Sequence, residues 1–426
     1  MNELFTVLPP GEAFAALGRV CSRIDRTEIV VLEAALGRVL AEDVVARETL
    51  PSFARSTMDG YAVRAADTHG ASEQSPAYLR LVDDVPTGMV PAVAVGRREA
   101  VRTHTGAMIP PGADAVVMVE DTNLHPSTGP AQAEVEILDA AAPGENILSV
   151  GEDVRAGDIA IPAGRRLRAA ELGGLAALGI MRVRVRARPR IAILSTGDEV
   201  VAAGSTPGPA HVRDVNGTTV AAVVSQAGGI AVPRGIVADD ASELERALRA
   251  ALDEADAVVL SAGSSVSVRD LTAQVVARLG APGVLVHGIA IKPGKPTVLA
   301  LCDGTPLVGL PGNPASALVV AWRIVRPLVR LLGGERVDDD GLGDISTGSG
   351  QAETLAVLDV PLPSRPGRED FVPCTLARNA AGALHATPVF GASNLIFTLI
   401  RADALIAVPL DRSGLAAGET VRVIVP

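Results

Sequence analysis

Cysteine is scarce in this chain. Only Cys21, Cys302 and Cys374 occur in 426 residues, an odd number set far apart, which fits neither a disulfide framework nor the clustered spacing of a zinc site. Buried thiols in a reducing compartment are expected. Basic charge is not in excess either: the formal net charge is −11, whereas a nucleic-acid binder needs a basic face for phosphate contacts. No apolar run reaches the ~18 residues of a membrane span, and residues 1–10 lack a basic segment followed by an apolar core. A cytoplasmic protein with no membrane and no nucleic-acid partner is expected. Neither a Walker motif nor G-x-G-x-x-G is present, which disfavours an ATPase or a dehydrogenase. Aromatics are few, and two of them, Phe53 and Tyr61, fall in one short stretch.

What is present is globular in character: 48% hydrophobic and 20% charged, and long enough to need several domains. The sharpest signal is Arg190 to Val200. An apolar, β-rich run over 190–194 stops at Ser195-Thr196-Gly197, so a buried strand should deliver Asp198 and Glu199 to its carboxyl end, where open α/β sheets bind ligands. The same grammar then repeats. Asn216 can cap a helix through Gln226; a strand over Gly235 to Ala238 ends in Asp239-Asp240, and Asp240 can cap a helix from Ala241 to Glu254. A strand over Ala257 to Leu260 leads into Ser261-Ala262-Gly263-Ser264-Ser265, then a helix from about Val268 to Leu279 and a strand over Val284 to Val286. Strands alternating with helices of this length predict parallel, right-handed, doubly wound βαβ units.

Earlier in the chain, the spacing of apolar residues predicts helices over Gly11 to Ile24 and Val31 to Leu40, with a break at Arg26 to Glu28. From Leu50 to about Gly144 short strands and turns predict an inserted β domain. Ala169 to Leu178 reads as a helix ended by Gly179. The alternating arginines 182, 184, 186, 188 and 190 read as a strand with Val183, Val185 and Ala187 buried and the arginines solvated. After the α/β region come two proline-locked loops, Lys292-Pro293-Gly294-Lys295-Pro296 and Gly309-Leu310-Pro311-Gly312-Asn313-Pro314-Ala315-Ser316, suited to rigid presentation of donors. An apolar helix to about Leu332 follows, and residues 351–426 alternate in short strands, a final all-β domain.

Asp198, Glu199, Asp239 and Asp270 should share one sheet edge. Asp240 reads as a cap, and Asp239 and Asp270 serve equally well as caps or as functional groups; Glu199 is a poor cap and has no such structural excuse. Carboxylates beside Lys292 and Lys295 suit a divalent cation plus an anion, because Mg²⁺ takes a few carboxylates together with phosphate oxygens. The loop from Ser261 through Gly263 to Ser265 offers hydroxyls and backbone N–H groups ahead of a helix, a phosphate cradle in physical terms.

Several motifs, taken in order, resemble the molybdopterin molybdenumtransferase family, which comprises MoeA and the E domain of gephyrin. They are Ser56-Thr57-Met58-Asp59-Gly60-Tyr61-Ala62-Val63-Arg64, Thr105-Gly106-Ala107 with Pro111-Gly112-Ala113-Asp114, Gly151-Glu152-Asp153, Ser195-Thr196-Gly197-Asp198-Glu199, Lys292 to Pro296, and Gly309 to Pro314. The resemblance spans nearly the whole chain. It implies insertion of molybdate into adenylylated molybdopterin with release of AMP, dependent on Mg²⁺, by a four-domain, elongated homodimer. The implied fold is α/β plus β: a helix-and-strand linker domain over 1–48 and 146–187, an inserted β domain over 49–145, a doubly wound MogA-like domain over 188–334 and a β-barrel-like domain over 335–426.

Carried over by position, Asp59, Thr105 and Asp153 would come from the partner subunit, while Glu199, Asp239 and Asp270 would handle metal and nucleotide. Ser195, Thr196, Gly197, Asp198, Ser261, Gly263, Ser265, Pro311, Gly312, Asn313 and Pro314 would contact substrate, and Lys292, Lys295, Ser316 and Ser393 would hold molybdate. The chain departs from the family pattern at 261–267, where two glycines are replaced, and at Leu148, Gly288 and Pro373, which stand where the family carries basic residues. Either groups such as His287 and Arg368 rebuild the anion site, or the chain is a divergent molybdopterin-binding or storage form without turnover. A nucleotide pyrophosphatase built on the same α/β module is disfavoured by the match outside that module.

Overall fold

A computed structural model describes residues 7–126, 133–262, 266–335 and 352–425, leaving aside the side chains of 266–270 and 352. The chain forms two compact units, Asp43–Ile161 and the rest.

The larger unit is built on a six-stranded sheet. Its strands are β1 (Arg190–Thr196), β2 (Ile230–Val237), β3 (Ala257–Ser261), β4 (Pro282–His287), β5 (Val298–Cys302) and β6 (Thr305–Leu310), in the order β2-β1-β3-β6-β5-β4. β2, β1, β3 and β6 are mutually parallel. β5 runs antiparallel to both β6 and β4, so the expected all-parallel sheet is interrupted by one hairpin.

The connecting helices are α1 (Asn216–Gln226), α2 (Ala241–Glu254) and α3 (Val266–Val276), with α4 (Pro314–Val320) following β6. Successive strand residues face opposite sides, and both sides are covered. Ile191 and Ile193 pack with Val220, Val223 and Val224 of α1, whereas Ala192 and Leu194 pack with Leu244 and Leu248 of α2. That is why 190–194 is continuously apolar rather than alternating. Because α1 and α2 leave on opposite faces, the crevice at the carboxyl ends of β1 and β3 lies at a switch point, where such sheets bind ligands.

The C-terminal strands are β7 (Ala352–Leu358), β8 (Glu369–Arg378), β9 (Leu384–Pro388), β10 (Ala404–Val408) and β11 (Thr420–Val425). They pair as β8-β9-β7-β11-β10, and β10 returns to β8, closing a five-stranded barrel. Phe371, Leu405, Ala407 and Ile424 of the barrel join the same apolar core as the α1 face of the sheet. A short strand, Ile291–Lys292, also pairs with β8, placing Lys292 opposite Asp370.

The N-terminal helix is shorter than the sequence pattern suggests, Pro10–Gly18. The expected helix over 31–40 does not form: Thr27–Val31 is a strand antiparallel to Arg182–Arg186, followed by one 3-10 turn, Leu32–Ala34. The β-branched run Thr27, Ile29, Val30, Val31 favours the pleated state, and the arginine strand supplies its partner. Val183 and Val185 are buried there as expected, but the strand ends at Arg186, Ala187 is only half-buried, and Arg186 donates to the Ile24 carbonyl at 3.3 Å instead of standing in solvent.

The smaller unit carries its own mixed six-stranded sheet, with Gly60–Val63 paired to both Glu99–Thr103 and Ala115–Met118. Tyr61, Leu79, Val117, Val135 and Ile137 form its core, so Tyr61 is a packing residue. Gly60 is required: a Cβ there would lie 2.0 Å from the Val117 carbonyl oxygen.

Candidate functional site

β1 ends at Thr196, and Gly197 has φ +145°, a conformation side chains avoid; a Cβ would stand 2.8 Å from both the Glu199 carboxylate and Val200. The turn that glycine permits leads into Val200–Val201, paired with Val212–Arg213, and the Glu199 carbonyl accepts from the Val212 N–H at 2.8 Å. The backbone of Glu199 is thereby fixed while its side chain faces a cleft of about 740 Å³. Among the described residues its carboxylate has no hydrogen-bond or ion-pair partner.

Ser195, Thr196, Glu199, Ser261, Gly312, Asn313 and Pro314 line that cleft together with His211, Asp214, Asn216 and Asn394; of the acids expected along one sheet edge, Glu199 is in the lining and Asp198 and Asp239 are not. The hydrogen bonds sort its walls by polarity. On the β1 side the Ser195 hydroxyl donates to Asp214 at 2.9 Å and the Thr196 hydroxyl donates to Asp239 at 2.6 Å, while Asp198 accepts from the Asp239 N–H at 3.1 Å. On the β3 and β6 side the amide of Asn216 donates to the Ser261 hydroxyl oxygen at 2.6 Å and the amide of Asn313 to that of Ser393 at 3.0 Å. A hydroxyl that accepts from an amide keeps its own hydrogen to give. One wall thus presents acceptors and the other presents donors.

Asn216 is not the cap its position suggests. Asp214 accepts from the Gly217 N–H at 2.9 Å and caps that turn instead. Asn216, 7% exposed, donates to Ser261 and to the Gly312 carbonyl at 2.9 Å, and its own Oδ1 has no partner among the described residues. Asp240 does cap α2, accepting from Ser242 and Glu243 N–H groups.

Lys292, Lys295 and Ser316 are not among the residues lining the cleft. Gly294 lets their loop lie on α4, where a Cβ would meet Val320 at 2.5 Å. Lys292 stands 3.8 Å from Asp370, a buried carboxylate that also holds Arg368 at 2.8 Å. Arg368 and Lys292 are therefore neighbours through one acid, and Ser316 is buried in α4. Ser393 reaches the site twice, through Asn313 and through its carbonyl, which accepts from the Ala315 N–H at 3.0 Å. Pro311 is buried behind Gly312.

Gly263 and Ser265, and the side chain of Asp270, lie outside the described residues. In the smaller unit Asp59 accepts from the Thr105 N–H at 2.7 Å and from its hydroxyl at 3.0 Å. Those bonds, then the positive fields of His104 and Arg102, hold the Asp59 carboxyl below its usual range. Asp153 is exposed in a turn whose N–H donates to the Leu50 carbonyl. Leu148 pairs across a short ladder with Arg55.

A family model of the MoeA N-terminal region, domains I and II, matches residues 8–179; a probable molybdopterin binding domain matches 192–331; and the MoeA C-terminal region, domain IV, matches 356–425. The chain is 33% identical over 399 residues to the molybdopterin molybdenumtransferase of Haemophilus influenzae, covering 93% of each. It is also 33% identical over 427 residues to that of Bacillus subtilis, covering 100% of this chain and 95% of the relative.

The chain belongs to the molybdopterin molybdenumtransferase family. A crystal structure of a MoeA molybdopterin biosynthesis protein from Pyrococcus horikoshii superposes with a TM-score of 0.79 at 28% identity, covering 99% of this chain and 100% of that one. The α/β domain, the mixed sheet of the smaller unit and the closed barrel are thus the MoeA fold, and the chain is an enzyme of molybdenum cofactor biosynthesis.

Three residues of this enzyme's site escaped sequence reasoning. Asp214 and Asn216 carry a readable signal, an acid and an amide crowded before Gly217 at a helix start. Asp370 carries another, an acid directly before the large apolar Phe371 in a β-rich run. Among the described residues no helix is long and apolar enough to cross a membrane.

Proposed function

We propose that the chain inserts molybdate into adenylylated molybdopterin and releases AMP, with Mg²⁺ required. The observation that carries this reading is the sorted cleft: a donor wall of pre-oriented hydroxyls facing an acceptor wall with one carboxylate, Glu199, that has no partner among the described residues. A phosphoanhydride needs donors for its oxygens, and Ser261 and Ser393 supply O–H groups already aimed by Asn216 and Asn313. Charge-assisted hydrogen bonds of this kind orient as well as attract. Lys292 and Arg368, paired through Asp370, supply positive charge for an oxyanion on the barrel side.

The donor set also fits Mg²⁺ in its usual mode. Among the described residues no group of three or more His, Cys, Asp or Glu side chains could hold a metal ion, but Mg²⁺ commonly takes one or two carboxylates and completes its shell with phosphate oxygens and water. Glu199 and Asp239 would hold the ion, and when bound it supplies charge neutralisation at the phosphates. Asp239 is steadied by the Thr196 hydroxyl, and Glu199 is steadied through its backbone.

The reading includes a cytoplasmic homodimer in which Asp59, Thr105 and Asp153 are offered to a second copy of the chain. Incubation with adenylylated molybdopterin, Mg²⁺ and molybdate should yield AMP and metallated cofactor. Tight pterin binding without AMP would replace the enzyme reading with that of a molybdopterin-binding store. Light scattering reporting a stable monomer at micromolar concentration would remove the dimer.

A further inference from the structure

Five arginines line a small cavity of about 20 Å³ inside the larger unit, and no acidic side chain lines it with them. They are Arg38, Arg166, Arg186, Arg188 and Arg330; glycines and small or apolar residues complete the lining. They come from separate parts of the chain: the turn at Gly37 to Val39, the segment ahead of Ala169–Ala177, the stretch from the arginine strand into β1, and the helix Arg326–Leu332. Two of them are firmly placed. Arg166 donates to the Gly37 carbonyl and to the Ala227 carbonyl, both at 2.9 Å, and to Glu335 at 2.7 Å. Gly228 makes room for it, because a Cβ there would stand 3.2 Å from its guanidinium. Arg38, itself buried, donates to the Arg186 carbonyl at 2.8 Å and holds Glu28.

The charges here do not cancel. Glu335 takes Arg166, Glu28 takes Arg38, and Asp25, almost wholly exposed, stands 3.8 Å from Arg186. Against these acids stand the five lining arginines and Arg326, whose field reaches Arg330. The Nε of Arg330 is buried with no partner among the described residues. Burial, then the field of Arg326, pulls the Arg330 guanidinium down to about 10, although Glu335 opposes the shift. A buried cation short of counter-charge costs free energy that a resident anion offsets. Water suits the place less well, because guanidiniums only donate and would leave its hydrogens facing cations. We infer that this cavity is a site for a monatomic anion, chloride, which fastens the arginine strand and the Gly37 turn to the helix Arg326–Leu332. Its volume holds one body of about water's size, which suits a halide better than the four oxygens of a tetrahedral oxyanion.

Bromide, the heavier analogue of chloride, tests the site directly: crystals of the full chain grown in bromide should show an anomalous peak among Arg38, Arg166 and Arg330. In solution, replacing gluconate by chloride at constant ionic strength should raise the melting temperature by ~2 °C or more, since the ion binds the folded chain alone. Arg330→Met keeps the apolar stem and removes the guanidinium, and should lose at least about half of that response. Arg246→Met, at a side chain 76% exposed on α2, should keep all of it. The bromide peak needs no variant, so the site stays testable even where Arg330→Met fails to fold.

No anomalous peak at this place, a carboxylate of Asp338, Asp339 or Asp340 seated there instead, or a full chloride response in Arg330→Met would each overturn the assignment. A bromide peak together with equal melting in chloride and gluconate would reduce it to an adventitious ion only.

Discussion

Asn216 ties together the start of α1, the end of β3 and the loop after β6, which makes it the most informative residue to remove. Asn216→Ala deletes the bonds to Ser261 and Gly312, each worth about 1 kcal/mol net. It also removes an Oδ1 that has no partner among the described residues, which returns part of the loss, and the open cleft lets water reach the stranded Gly312 carbonyl. The expected destabilisation is therefore about 1–2 kcal/mol, read as a lower urea midpoint at unchanged slope. The effect on turnover should be larger. Without the amide the Ser261 hydroxyl rotates freely and is no longer held as a donor, so AMP release should fall ~10- to 100-fold. Asn216→Asp separates packing from hydrogen bonding. It keeps the volume but sets a carboxylate oxygen against the Gly312 carbonyl, which raises that carboxyl's pKa. A raised pKa contributes stability below the unfolded value and loses it as pH rises, so Asn216→Asp should approach wild-type stability near pH 4 and fall away by pH 7. An unchanged urea midpoint and turnover in Asn216→Ala, or a pH-independent deficit in Asn216→Asp, would refute the view that this amide fastens the site.

Other expectations are as direct. Glu199→Gln keeps size and removes the charge: AMP release should drop at least ~100-fold, roughly 2.7 kcal/mol, at an unchanged melting temperature, and wild-type turnover would show the carboxylate idle. Gly197→Ala forces a side chain into a left-handed turn against Val200 and should cost about 1–3 kcal/mol, with AMP release lowered as Glu199 shifts; calorimetric unfolding at wild-type temperature would contradict this. Glu171, held by the Arg168 guanidinium and then by further bonds including one from Arg165, has its carboxyl pulled from 4.5 down to about 2. A lowered pKa contributes stability above pH 4.5 that drains away as pH falls towards 2. With the exposed arginine partly screened, Glu171→Gln should cost about 1–2 kcal/mol at pH 7 and almost nothing at pH 2. Equal deficits at both pH values, measured by urea unfolding, would remove this ion pair from the account.

The parts of the site legible in the sequence are those written in local grammar. Ile191 to Leu194 announces a strand covered on both faces, Gly197 announces the turn after it, and Glu199 stands out because nothing local explains it. Local grammar also misleads where a distant partner outbids it. Asn216 occupies a cap-like position, yet Ser261, 45 residues away, and Gly312, 96 away, claim its amide, leaving capping to Asp214. Thr27 to Val31 lies beside a helical pattern, but the arginine strand more than a hundred residues later draws it into a ladder. The antiparallel hairpin of β5 and β6 carried a signal that was there to be read. Asp303-Gly304 is a two-residue turn with positive φ at both positions, the strongest short-range mark of a hairpin.

What no local pattern encodes is the direction of the hydroxyl hydrogens. Ser195, Thr196, Ser261 and Ser393 are of one chemical kind in the sequence. Two become acceptor-facing because carboxylates claim their hydrogens, and two become donors because amides claim their lone pairs. The identity of each partner is set by which strand ends the sheet order brings side by side. Placing β1 between β2 and β3 puts the acids Asp214 and Asp239 next to Ser195 and Thr196. Placing β6 beside β3 carries Gly312 and Asn313 to the other wall, with the barrel's Ser393 against them. The polarity that orients an anionic ligand is therefore a consequence of strand order. A substitution that kept every hydroxyl but exchanged Asn313 for Asp would turn Ser393 from donor to acceptor-bound, and AMP release should fall although no residue expected to touch the phosphate had lost its hydroxyl.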